Sequence, residues 1–441
     1  MTGSMADAAI HEAPPGENGG DREFALSAVP AAATAPSYKI GVVLLGANIS
    51  LPTLVMGGEL GVKLGFDATV TACIWAGMIL ALLAGTCAYV GARSRLTTYV
   101  MIIRAFGQRG GEIINLLLAM SAIGWFGVVV VLFAETMIRM TQASALFASP
   151  SLWVISGSIL MAYTTIVGFR ALDILSNIML PLKLGLIVWA LAVAIRTYGT
   201  GFTEPMAGAV LMDEKTAVSF IVGGWVVGAI IAPDFSRFAR SPVGVGLACA
   251  FALGVGYPLV LLGSSVPAIL TGEKDMLMTM GALGMGFAAL SIIMLASWTN
   301  GATNLYCASL MLSTVFRRFS RKALVWLSCV LGLVLGLAGI TDQIVPYLVL
   351  LSAVVPPIAG VYLPRFFLDQ HPGDAPLADA DWQPGAIAAL LLGIAAAAIG
   401  HFHGGWLTGL VAIDSLLVSS LSYLAFEWIR RAAARRATAR A

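Results

Sequence analysis

The grouping of its apolar residues constrains this chain more than any other feature. They fall into twelve runs, at about 39–63, 68–90, 112–138, 151–169, 172–195, 216–233, 243–270, 280–313, 323–340, 344–363, 385–400 and 405–427. A helix needs roughly 20 residues to cross a hydrocarbon core about 30 Å thick, and most of the runs approach that length. Only 11% of the 441 residues are charged, against about a quarter in a soluble domain. A water-facing surface cannot be built from that stock. The chain is therefore expected to be an all-α integral membrane protein of about twelve transmembrane helices, with the lipid bilayer as its solvent.

The charges orient those helices. With a cytoplasmic N-terminus, 19 of the 25 basic residues fall in inner segments, among them Arg93, Arg95, Arg104, Arg109, Arg317, Arg318, Arg321 and Lys322. Five fall outside (Lys63, Arg139, Arg196, Lys215, Lys274) and Lys183 lies within a run. Basic residues accumulate on the cytoplasmic side of membrane proteins, so both termini are expected there. Residues 1–37, rich in Gly, Ala and Pro, read as a disordered cytoplasmic tail, 38–429 as one membrane domain, and 430–441 as a basic cytoplasmic tail. That tail directly follows an apolar run, so nucleic-acid binding is not expected of it. The five cysteines all fall within apolar runs, without metal-ligand spacing, and no nucleophile–base pair accompanies them. An enzyme, a cofactor and a metal cluster are not expected, and no obligate protein partner is evident.

Backbone groups in lipid must be satisfied within their own helix, so an interrupted helix at membrane depth implies a protein-lined cavity. The first run carries Gly46-Ala47-Asn48-Ile49-Ser50-Leu51-Pro52-Thr53, two polar side chains and a proline at its middle. Pro52 lacks an N–H and clashes with the carbonyl of Asn48. Either the helix kinks and its neighbours repair it, or it unwinds and offers backbone groups to a solute and an ion. The sixth run has Gly223-Gly224-Trp225-Val226-Val227-Gly228, then Pro233-Asp234, and reads as a second interruption. Two interruptions five runs apart suit a five-plus-five inverted repeat, about 38–197 and 214–364, with extra helices at about 383–428.

Three further groups mark the candidate site. Trp125, between Gly124 and Phe126-Gly127, offers a ring face for stacking a flat heteroaromatic molecule, and Trp225 supplies a second ring. The eighth run is the most polar: Asn300 and Asn304 share a face, as do Thr299 and Thr303. Such groups either join helices or face a cavity, where amides read the edge of a base and oxygens suit a hard cation. Lys183 lies near the middle of the fifth run, where a charge costs at least about 2.5–3.5 kcal/mol.

Together these residues resemble the nucleobase:cation symporter-1 family, and within it bacterial cytosine or purine-cytosine permeases. The resemblance is carried by Gly57-Gly58-Glu59-Leu60-Gly61, Gly124-Trp125-Phe126-Gly127 and Asp234-Phe235-Ser236-Arg237-Phe238. It continues through Trp298-Thr299-Asn300, Asn304-Leu305-Tyr306 and Ser352-Ala353-Val354-Val355-Pro356-Pro357. It implies alternating access in a bacterial inner membrane, with a nucleobase-like substrate bound by Trp125, Trp225, Asn48, Gly224, Asn300 and Asn304. It also implies a sodium or proton site formed by Gly46, Ile49, Ala296, Thr299 and Asn300. In related amino-acid transporters of the same architecture a lysine on the fifth helix stands in for sodium, which suggests that role for Lys183. The eighth run lacks several polar residues typical of cytosine permeases, having Gly301, Ala302 and Ala296 there. Another pyrimidine, a purine, a hydantoin, allantoin or a thiamine-precursor pyrimidine therefore stays open, as does an uncoupled channel or a sensor.

Overall fold

The computed structural model describes residues 28–30, 34–141, 149–167, 169–202, 211–273, 276–369, 380–402 and 407–438. Each of the twelve apolar runs lies mainly on helix. The first run is α1 (Ser37–Asn48) and α2 (Leu51–Leu64), which meet at a bend of 61°. There follow α3 (Phe66–Ser94), α4 (Thr98–Phe106), α5 (Gln108–Thr141), α6 (Pro150–Val167) and α7 (Phe169–Tyr198). The second half holds α8 (Glu214–Ile230), α9 (Ala232–Ser236), α10 (Pro242–Phe251), α11 (Tyr257–Thr271), α12 (Met276–Ala282) and α13 (Gly286–Val315). It closes with α14 (Arg321–Leu337), α15 (Ile344–Val354), α16 (Pro356–Leu368), α17 (Pro384–Phe402) and α18 (Val411–Thr438). By length and composition, seven described spans can cross a membrane, or eight if α1 and α2 are one. The 30-residue α13 is not among them, because its polar stretch 297–304 lowers its hydropathy.

Helix packing divides the chain into two groups. In one, α3 lies against α8 and α10, α2 against α11, and α1 against α10. In the other, α5 packs along α13, with α6 and α14 against both. Glycines permit the close approach: a Cβ at Gly77 would lie 2.5 Å from the Gly254 carbonyl, and one at Gly85 3.2 Å from that of Gly246. α7 lies between the groups, touching α11 and α13, so Lys183 occupies the seam between them.

Two details depart from the expectations. The Gly223–Gly228 stretch is unbroken helix, and the sixth run instead leaves helical geometry at Ile231 (φ −86°, ψ 7°). The end of the supposed N-terminal tail is anchored. Val29 is buried and donates its N–H to the Arg95 carbonyl, and Ala35 bridges the Phe238–Arg240 backbone. Residues 1–27, 31–33 and 439–441 of the two tails lie outside the described residues.

Candidate functional site

The break in the first run has a local cause. Pro52 sits in the first turn of α2, where its missing N–H would have no intrahelical partner anyway, so it starts a helix here rather than bending one. Ser50 turns back, donating its N–H to the Asn48 carbonyl at 3.1 Å and sharing a hydrogen bond of 3.0 Å with the Thr53 hydroxyl. Ile49, the C-cap of α1, lies outside helical geometry (φ −87°, ψ 87°). The last carbonyls of α1 lose their intrahelical donors, and that end of the helix carries partial negative charge. A cation is favoured beside it.

Lys183 is the basic residue brought to that end. A narrow cavity of about 10 Å³, on the scale of a single water, is lined by Ile49, Ser50, Leu51 and Leu54 from the break. Its other walls are Lys183 and Leu186 of α7 and Ile292, Ile293 and Ala296 of α13. Three of the residues expected at a cation site, Ile49, Ala296 and Lys183, are thus brought to one space. Lys183 is 8% exposed, and no hydrogen bond or carboxylate meets it among the described residues. Gly46 lies a turn earlier against Leu180, where a Cβ would meet the Leu180 side chain at 3.6 Å. Thr299 donates its hydroxyl to the Ala296 carbonyl at 3.0 Å, so both belong to the same turn of α13.

The aromatic residues are arranged in two pairs. Trp125 of α5 is half-buried and meets Tyr347 of α15 edge to face, with ring centroids 6.4 Å apart. The Tyr347 hydroxyl donates to the Ser121 carbonyl at 2.8 Å and fills the space beside Gly124. The glycine that suggested an open ring face therefore makes room for a tyrosine. Trp225 of α8 meets Tyr257 of α11 in the same way, at 6.2 Å. No ring contact joins the two tryptophans among the described residues. Gly224 seats the Tyr257 hydroxyl and Met56 rather than offering an open backbone edge.

The polar residues of α13 sort into two kinds. Ser297, Thr299 and Thr303 donate to carbonyls of their own helix, and the Trp298 indole donates to Thr164 of α6 at 3.2 Å. These are packing bonds. Asn304 Nδ2 donates to the Asn300 backbone carbonyl at 3.0 Å and to Asn300 Oδ1 at 2.7 Å. That leaves Asn300 Nδ2 as donor and Asn304 Oδ1 as acceptor on one half-buried face, a pairing complementary to an adjacent acceptor and donor on a heterocycle. Asn48, expected at the same site, is fully buried and its Nδ2 donates to the Ala252 carbonyl of the seventh run at 2.7 Å. Sequence reasoning missed Tyr257 and Tyr347. Their only signal was a tyrosine in an apolar run, which does not reveal its partner.

A helical membrane protein with a broken first span, a cation-sized cavity at that break, and aromatic and amide side chains on the helices around it has the architecture of a permease. The chain belongs to the family of permeases for cytosine/purines, uracil, thiamine and allantoin, which matches residues 31–423. It is 28% identical to the cytosine permease of Escherichia coli K12 over 409 residues, covering 92% of this chain and 94% of that protein. It is 25% identical to the hydantoin permease of Microbacterium maritypicum over 292 residues, covering 60% and 58%. Its fold is similar to Mhp1, a nucleobase-cation-symport-1 family transporter, in a closed conformation with bromovinylhydantoin bound. The TM-score is 0.78 at 18% identity, over 92% of this chain and 96% of that one. The inward-facing conformation of Mhp1 gives a TM-score of 0.79 at 20% identity, over 92% and 93%.

Proposed function

We propose that this protein imports a nucleobase or related heterocycle by cation symport, through alternating access, across the bacterial inner membrane. In this reading twelve spans are arranged as a five-plus-five inverted repeat with two extra helices, and both termini are cytoplasmic. The heterocycle stacks between Trp125 and Trp225, beside Gly224, and its edge is read by Asn300 and Asn304. The cation site lies at the α1–α2 break, with backbone carbonyls of Gly46, Ile49 and Ala296 and the Thr299 hydroxyl, and Lys183 supplies a charge that exchanges with a proton. The observation that carries this reading is the single cavity shared by Ile49, Ala296 and Lys183 at the broken helix. Sodium at the same carbonyls, with Thr299 and Asn300, is the second reading. It is favoured by the uncompensated carbonyl end of α1, which suits any small cation.

The substrate set is widened by Ala296, Gly301 and Ala302 on α13, where the resemblance led us to expect polar groups. Hydantoins, allantoin and thiamine-precursor pyrimidines therefore stand beside cytosine, uracil and purines. Competition by these compounds against radiolabelled cytosine and uracil uptake, in a permease-deficient strain, tests the assignment. Saturable uptake of at least one is expected, and none taken up above the empty strain overturns it.

A further inference from the structure

α10 and α11 form one apolar helix joined through five residues of π-helix, Ala252–Gly256. Such a turn inserts one residue into an α-helix and is frequent at functional sites. It rotates everything after it by about 100° relative to an uninterrupted helix. Here it lies against the end of α1. The Ala252 carbonyl accepts from the Tyr257 N–H, the bond that closes the π turn, and also from Asn48 Nδ2 at 2.7 Å. Gly256 makes the approach possible, because a Cβ there would overlap the Leu45 side chain. Asn48 Oδ1 meets no donor, so this amide acts on its neighbour through nitrogen alone.

From Tyr257 the contacts run on to the opposite side of the proposed site. Its ring is fully buried and meets Trp225 edge to face, and its hydroxyl donates to the Ile221 carbonyl of α8 at 3.3 Å. Met56 of α2 and Gly224 enclose the same hydroxyl. One chain of buried contacts therefore joins the residue just before the helix break to the tryptophan of α8.

We infer that Asn48 and Tyr257 are positioning residues that couple the break at Ile49 to the placement of Trp225, so that a cation at the break alters how the heterocycle is held. The inference rests on the proposed function above. A cation that turns the Ile49 carbonyl must move Asn48, which precedes it directly, and Asn48 shares its acceptor with the Tyr257 N–H. The displacement is passed to the π turn and leaves it at Tyr257. Linkage makes the effect reciprocal: a cation that tightens heterocycle binding is itself bound more tightly when the heterocycle is present.

Asn48→Leu tests this, since the side chain keeps a similar shape and has neither donor nor charge. The first measurement needs no heterocycle. Amide hydrogen exchange should rise in Asn48→Leu both at 252–257 and at 222–228. A rise confined to 252–257, or none, overturns the linkage, whether or not the wild type is cation-coupled. The second uses whichever of cytosine, uracil, hydantoin and allantoin binds the wild type most tightly, measured with sodium against choline and at acid against neutral pH. Wild-type affinity should rise about fivefold or more with the coupling ion. In Asn48→Leu that ratio should fall toward one while ion-free affinity is kept. An unchanged ratio, or equal loss with and without the ion, overturns the inference. Should Asn48→Leu fail to insert, Tyr257→Phe keeps the ring and removes the bond to Ile221, and the same loss of coupling ratio and rise at 222–228 are expected; their absence overturns it.

Discussion

In the first run the chain leaves the helix at Ile49, with Asn48, Ser50 and Pro52 inside five residues; in the sixth it leaves at Ile231, two residues before Pro233. The first break borders a cavity with Lys183. The glycine-rich stretch of the sixth run, Gly223–Gly228, stays helical and seats neighbours instead. A Cβ at Gly223 would overlap the Leu348 carbonyl of α15, and one at Gly228 would lie 2.6 Å from the Trp225 ring. Glycine inside a helix costs only about 1 kcal/mol, which close packing readily offsets. A proline removes a hydrogen bond and adds a clash, at about 3 kcal/mol or more, so the helix ends before it. The tenth run is interrupted more mildly before Pro356-Pro357, since Val355 keeps helical geometry (φ −85°, ψ −42°) and Ile340–Leu368 can cross a membrane as one span. Proline is not sufficient, since Pro181, Pro267 and Pro364 lie within continuous helices.

The contrast can be broken first at Gly223. Gly223→Val puts two branches into the α15 backbone, where neither side can yield cheaply. Loss of monodisperse protein on size-exclusion chromatography is expected, and a well-folded variant would show that the glycine is not a packing residue. Next in size are Trp125→Ala and Trp225→Ala. Stacking on an aromatic is worth about 1–3 kcal/mol per base, so equilibrium binding should weaken about five- to hundredfold for each. Unchanged affinity in an inserted protein would remove that ring from the site.

Pro52→Ala should have a smaller effect on stability, within about 1 kcal/mol by thermal unfolding in detergent, because the first turn of a helix tolerates proline. Its effect should appear in transport rate, as the restored N–H lets helix grow through the break. Equal rates in mutant and wild type would mean that Asn48 and Ser50 hold the break without it. The smallest effect is expected at Lys63, whose ammonium lies 2.6 Å from Glu59 at the end of α2. Lys63→Ala removes a half-buried i,i+4 ion pair, of a kind worth about 0.3–0.5 kcal/mol on a helix. A larger drop in melting temperature than that predicts would assign the pair a gating role.

Much of this was legible in the sequence because the bilayer imposes it. Run length gave the helices, and the polar and proline residues of 46–53 gave the first break. The side-chain polarity of 297–306 gave the candidate readout face, though it did not separate the packing hydroxyls and Trp298 from the Asn300–Asn304 pair. That distinction depends on which carbonyl lies one turn away, not on residue type. The π turn in the seventh run was not legible, because Ala252–Gly256 has an ordinary apolar composition and its bulge is stabilised by Asn48, 204 positions away. Glycines at 223–228 misled for a similar reason. Glycine marks both a break and a close approach, and only the neighbouring backbone tells which.

In the proposed mechanism Lys183, at the first break and not the sixth, carries the coupling charge. Uptake into proteoliposomes with imposed sodium or proton gradients tests it most directly, using the heterocycle that the competition screen identifies. Accumulation should follow the proton gradient and ignore sodium, and Lys183→Ala should abolish it while sparing exchange. Strict sodium dependence, with indifference to the proton gradient and to Lys183→Ala, would contradict the account.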